Sequence, residues 1–126
     1  MSVDVRSPEV LDLIDVDAQV EQLGTGFQFT EGPLWNAQSG CLLFSDIPAN
    51  QIKKWAPGSE ITDFRVPSGK SNGLTYDKQG RLIACEHANR RVSRTEADGT
   101  VVAIASHHDG KRLNSPNDVV VKSDSS

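Results

Sequence analysis

The chain repeats itself. "EGPLWNAQSGCLLFSD" from Glu31 aligns with "NGLTYDKQGRLIACE" from Asn72, and "NDVVVKSDSS" from Asn117 aligns with the start of both, 41 and then 45 residues further on. A fixed period of this length marks one supersecondary unit used repeatedly, which restricts the fold more than any single strand does.

Within a unit the order is constant. A first strand ("PLW", "LTY") leads to a turn ending in Gly40 or Gly80, and a second strand follows ("CLLFSD", "RLIACE"). A third ("QIKKW", "RVSRT") leads to a turn at Pro57-Gly58 or Asp98-Gly99, then a fourth ("ITDFRV", "TVVAIA"), with Ile52 and Val92 in matching places. Short apolar runs punctuated by Gly, Pro, Asn, Asp and Ser predict strands joined by tight turns. Four-stranded meanders at about 40 to 45 residues are the pattern of β-propeller blades, small sheets packed face to face around a central channel. A sandwich of two four-stranded sheets matches the strand count but leaves the likeness between units unexplained.

The expected architecture is therefore all-β: about two four-stranded blades plus the first strand of a third. Residues 1–26 form an amino-terminal segment in which "PEVLDLID" reads equally as a helical turn or a strand. Residues 27–126 form the partial propeller domain, with blade units 31–68 and 72–106 and a third starting at 117. Aligning Asn117 with Asn72 puts Ser125 at Gly80, in the turn after the third unit's first strand. Two blades and a strand leave a ring open, with an unpaired edge and uncovered apolar faces. The expectation is an amino-terminal fragment of a longer design, or a homo-oligomer or complementing chain that supplies the missing blades.

Composition excludes some partners. At 126 residues the chain suits one domain, and 13 Lys and Arg against 17 Asp and Glu leave a net charge of −4 with no long basic run. That argues against nucleic acid, whose affinity rests on Lys and Arg contacts to phosphates, and against an anionic membrane surface. The amino terminus carries acids where a secretory signal needs positive charge, and no run approaches the ~20 apolar residues of a membrane span. Cys41 and Cys85 lie singly in "CLLF" and "LIAC", which predicts buried free thiols and a reducing, cytoplasmic location.

Glu31, Asn72 and Asn117 occupy the same place in successive units, just before the first apolar strand. In a propeller the first strand of each blade lines the channel, so these positions converge near the axis. One carboxylate and two amides present hard oxygen donors without thiolate or imidazole, a set suited to calcium, magnesium or manganese. Each Asn also reads as a turn residue bonded to nearby backbone. His87 follows the second strand of unit two and reads as a loop residue or a pocket wall. His107 and His108 read as solvated loop residues. Trp35 and Tyr76 match as packing between blades, and Arg90, Arg91 and Arg94 as a basic, solvated side of the third strand.

"FTEGPLW", "LLFSDIPANQIKKW", "SNGLTYDKQGRLIACEHANRRVSR" and "GKRLNSPNDVVVKSD" resemble consecutive stretches of the senescence marker protein, gluconolactonase and luciferin-regenerating-enzyme-like family, relatives of diisopropyl fluorophosphatase. The resemblance covers roughly residues 20–126. It implies a six-bladed propeller holding a divalent ion in the channel, most often calcium, with magnesium, manganese and zinc as alternatives. It implies hydrolysis of sugar lactones to aldonic acids. Carried over by motif, Glu31 of "EGP" is a metal ligand, and Asn117 of "PND" is a ligand or a substrate contact. Asn72 of "SNG" resembles a channel-lining position, with Asn72, His87 and Asn117 as substrate-side candidates. The family's remaining ligands, an Asn and an Asp of later blades, fall outside this sequence, and the Asp often proposed to handle proton transfer is one of them. No catalytic residue is assigned. The alternative reading is a non-catalytic propeller fragment or self-assembling module.

Overall fold

The computed structural model describes residues 3–124. A 3-10 helix covers Pro8–Asp12, so "PEVLDLID" forms a helical turn. Pro8 opens it, where a missing N–H removes no helical bond. Beyond it stand two four-stranded antiparallel sheets. The first runs β1 (Thr30–Asn36), β2 (Cys41–Asp46), β3 (Gln51–Trp55) and β4 (Thr62–Arg65), and the second β5 (Ser71–Tyr76), β6 (Leu82–Glu86), β7 (Arg91–Thr95) and β8 (Val101–Ala105). In each sheet neighbours in sequence are neighbours in space. The all-β expectation of two four-stranded meanders holds.

The repeat extends to irregularities. Thr30 pairs with Asp46 and Leu34 with Leu43; Ser71 pairs with Glu86 and Thr75 with Ile83. Each first strand therefore carries one extra residue within one position of the same place, a β-bulge spanning Gly32-Pro33 or Asn72-Gly73. A bulge tolerates Pro33, which has no N–H for the ladder. The bulges also lengthen β1 and β5 beyond "PLW" and "LTY", so Glu31 and Asn72 lie inside their strands rather than before them. A second pair of bulges leaves Phe64 of β4 and Ile104 of β8 unpaired and exposed.

Two expectations are corrected. Residues 113–122 form no strand: Asn117 meets β5 through its carbonyl, which accepts the Gly73 N–H at 2.8 Å. A ladder needs a partner running alongside, and no second strand of that unit falls among the described residues. The Ser125 alignment lies outside the described residues. His107 and His108 are not loop residues but form β9 (His107–His108), paired with β10 (Lys111–Arg112). Asp109 and Gly110 make the turn at φ 48 and 73, the left-handed pair that a two-residue hairpin requires. Both histidines are exposed.

The core lies between the sheets. Leu43 and Ile52 of the first pack against Leu74, Leu82 and Ala84 of the second, with Leu34 and Tyr76 at the margin. Alternation puts Leu43 and Ser45 on the face of β2 toward the second sheet, and Leu82 and Ala84 on the face of β6 toward the first. Ser45 Oγ joins the sheets by polar contact, 2.9 Å from Ser71 Oγ and donating to the Asn72 carbonyl at 2.8 Å. Cys41 and Cys85 are free and buried, as expected. Among the described residues no helix is long and apolar enough to cross a membrane.

Candidate functional site

The three matched positions stand side by side. A Cβ on Gly32 would lie 2.0 Å from the Asn72 carbonyl oxygen, and one on Gly73 would lie 2.7 Å from the Asn117 carbonyl oxygen and 2.4 Å from Asp118 Oδ1. Two glycines 41 residues apart thus let each unit's first strand press on the backbone of the next. Gly32 also needs the left-handed conformation, φ 55, which a side chain disfavours. The result is one row: Glu31-Gly32, Asn72-Gly73, Asn117-Asp118.

The side chains of the row differ in what they offer. Glu31 is exposed, and its Oε2 accepts the neighbouring Gly32 N–H at 3.3 Å. Asn117 is exposed, while Asn72 is buried at 5% exposure. Asp118 Oδ1 accepts the Val119 N–H at 2.9 Å. Among the described residues no three His, Cys, Asp or Glu side chains cluster as a metal cage. The row's donors are one accessible carboxylate and amide oxygens, which suit a hard cation completing its shell elsewhere.

His87 stands at the same end of the second sheet. Its backbone N–H donates to the Lys70 carbonyl at 3.2 Å, while its Nε2 is buried with no hydrogen-bond partner among the described residues. Its ring is half-buried beside the turn rather than loose in solvent.

The basic side of β7 is not a free solvated face. Arg90 Nε donates to the Leu113 carbonyl at 2.7 Å, Arg94 Nε to Glu96 Oε1 at 2.7 Å, and Arg91 grips Glu86. The Arg91 contact belongs to a correspondence between the units that sequence reasoning missed. Asp46 and Glu86 close the second strands of the two units, both buried at 3% and 2% exposure. Asp46 Oδ1 accepts the Phe29 N–H at 3.1 Å and Oδ2 the Gln28 N–H at 3.1 Å, tying the incoming chain to the sheet. Burial pushes the Glu86 carboxyl up, but hydrogen bonds from Arg91 and Asn89 and the Arg91 charge hold it below the usual range. The signal was visible as "FSD" over "ACE", acids at matched places in apolar strands.

Trp35 corrects a further expectation. Tyr76 packs against the core, but Trp35 in the matching place is 51% exposed. Tyr76 faces the preceding sheet, and no sheet precedes the first one among the described residues.

The whole constellation compares with known proteins. A gluconolactonase of Zymomonas mobilis subsp. mobilis is 30% identical over 127 residues, spanning 90% of this chain and 36% of that protein. An X-ray structure of a protein assigned as a gluconolactonase superimposes with a TM-score of 0.84 at 39% identity, over 95% of this chain and 42% of that one. A gluconolactonase structure from Xanthomonas campestris gives 0.73 at 33% identity, over 79% and 33%. The chain spans about two fifths or less of the length of these relatives. Residues 29–126 match the family described as the SMP-30/Gluconolactonase/LRE-like region, and the chain belongs to that family.

Proposed function

We propose that the chain supplies two blades and one wall of the site of a metal-dependent sugar-lactone hydrolase, and that further blades are needed for turnover. The observation that carries this reading is the row: an accessible Glu31 carboxylate beside Asn72 and Asn117, held in register by Gly32 and Gly73. Glu31 would hold a divalent cation, calcium first, with Asn117 as a second oxygen donor or a contact to the lactone. Such a cation supplies Lewis acidity, which lowers the barrier to attack on a lactone carbonyl. Asn72 lines the wall, and His87 borders it with an unspent ring nitrogen. Two donors leave most of a calcium shell to water, so this chain alone binds the ion weakly.

The test is calcium titration by calorimetry beside sedimentation, with Glu31→Ala as control. Binding lost in the variant supports Glu31 as the anchor, and a lactone-opening assay of the same sample asks whether the site is complete. Calcium binding unchanged by Glu31→Ala would sink the assignment.

A second reading, self-assembly, has its own observation. Trp35, Leu42 and Phe44 occupy on the first sheet the places that Tyr76, Leu82 and Ala84 occupy on the second, where they pack on a neighbouring sheet. The first sheet's outer face carries an apolar cavity of about 350 Å3 bounded by Leu23, Phe27, Leu42, Phe44, Trp55 and Ile61. A second copy presenting its own second sheet would cover that face head to tail. Sedimentation as a monomer at all concentrations would exclude it.

A further inference from the structure

The cavity on the first sheet's outer face has two walls. One is the sheet itself, through Leu42, Phe44 and Trp55, and the other is the incoming chain, through Leu23 and Phe27. The incoming chain is fixed there at three points. Asp46 holds the Gln28 and Phe29 N–H groups, the Phe27 ring meets Phe44 edge-on with centroids 5.2 Å apart, and Gly24 lies against Ile61. A Cβ on Gly24 would come within 2.6 Å of Ile61 Cδ1, so a larger residue would move one or the other. The space between the walls, about 350 Å3, is at the small end of ligand pockets.

Its chemistry is uneven. Phe27, Phe44 and Trp55 make three sides aromatic, and Thr30 and Glu31 bring polar groups to the lining. Among the described residues no Lys or Arg lines it. Lys53, on the same face of β3 as Trp55, is spent on Asp63 at 2.6 Å. Glu31 is exposed, so its charge is open to a ligand. Aromatic rings and a carboxylate both attract a cation, while the aliphatic walls favour an apolar body. An anion there would face Glu31 with nothing in the lining to offset the repulsion.

We propose that this cavity binds a small apolar cation, an aryl- or alkylammonium, with its ammonium group at Glu31. Binding needs no metal at Glu31, so this site stands or falls apart from the calcium assignment.

The test follows the backbone amide resonances of Gly24, Phe27 and Ile61 in the full chain at pH 7 with a chelator present. Benzylammonium, benzyl alcohol and benzoate are titrated in turn; they share a ring and a similar size and differ in charge. Benzylammonium should bind about threefold or more tighter than the alcohol, the effect of one exposed ion pair and ring contacts, and benzoate more weakly than both. Glu31→Gln should weaken benzylammonium by about twofold to fivefold and leave the alcohol unchanged. Leu23→Trp, at an exposed place in the incoming chain, fills the space and should abolish both. Equal binding of ammonium and alcohol, or an ammonium affinity unchanged in Glu31→Gln, would reduce the site to an apolar cavity without charge selection and overturn the proposal. Absence of shifts in a chain that sediments as a dimer or larger would mean that a second copy covers the face, and absence of shifts in a monomer would mean that the cavity takes no such ligand. Either result overturns the proposal as well.

Discussion

Gly32 and Gly40 both have left-handed backbone, at φ 55 and 61, yet substitution at them has different consequences. A Cβ on Gly40 meets nothing within 4 Å, whereas on Gly32 it collides with the Asn72 carbonyl. Gly40→Ala should therefore cost only the backbone term, about 1 kcal/mol, and Gly32→Ala about 2 to 5 kcal/mol, because the blades must also separate. Denaturation midpoints of the two variants check this. Glu86 yields the prediction in pH. Its folded pKa is depressed below the ordinary 4.5, so its contribution is present above that value and is lost as pH falls through the folded pKa. Glu86→Gln should flatten the acid limb of the stability profile. It should also cost about 2 to 3 kcal/mol at neutral pH, less than a fully buried pair because Arg91 keeps 28% of its side chain exposed. An acid limb identical to that of the parent would refute the pairing.

At the scale of elements, the matched bulges of β1 and β5 separate a polar entry from an apolar strand, and the acids at the ends of β2 and β6 secure what approaches them. Asp46 does so for residues 28 and 29, whose amides have no strand partner of their own. Asp46→Ala should cost about 1 to 3 kcal/mol. Hydrogen exchange at Gln28 and Phe29 should accelerate by roughly tenfold or more while the β6 amides change less. Equal acceleration throughout both sheets would show that Asp46 acts on the fold as a whole.

The two sheets share one core across their interface, so neither has a separate apolar interior. Leu43, 1% exposed, is the largest fully buried side chain of that interface. Leu43→Ala should cost about 2 to 5 kcal/mol, and protection in β3 and β6 should fall together because nearest-neighbour contact stabilises both units. Loss confined to the first sheet would mean that the second folds by itself. The same scale explains why Trp35 and Tyr76 part company: matching places have matching orientations, but only Tyr76 has a sheet to face.

The strand runs, the unit period and the matched polar row were legible in the sequence, because alternation, turn residues and a repeat act over a few residues and leave a direct trace. "QIKKW" and "RVSRT" coincide with β3 and β7 for that reason. The burial of Glu86, its grip on Arg91, and the fit of Gly32 and Gly73 against the next unit's carbonyls were not legible. They arise only when two sheets meet, and the partners are distant in sequence. The missing strand at 117 follows the same rule: "NDVVV" has strand character, but a strand exists only where a neighbour completes its hydrogen bonds. Local pattern determined which segments extend and how often the unit recurs, whereas contact between units decided which polar side chains are spent on structure and which remain available for chemistry.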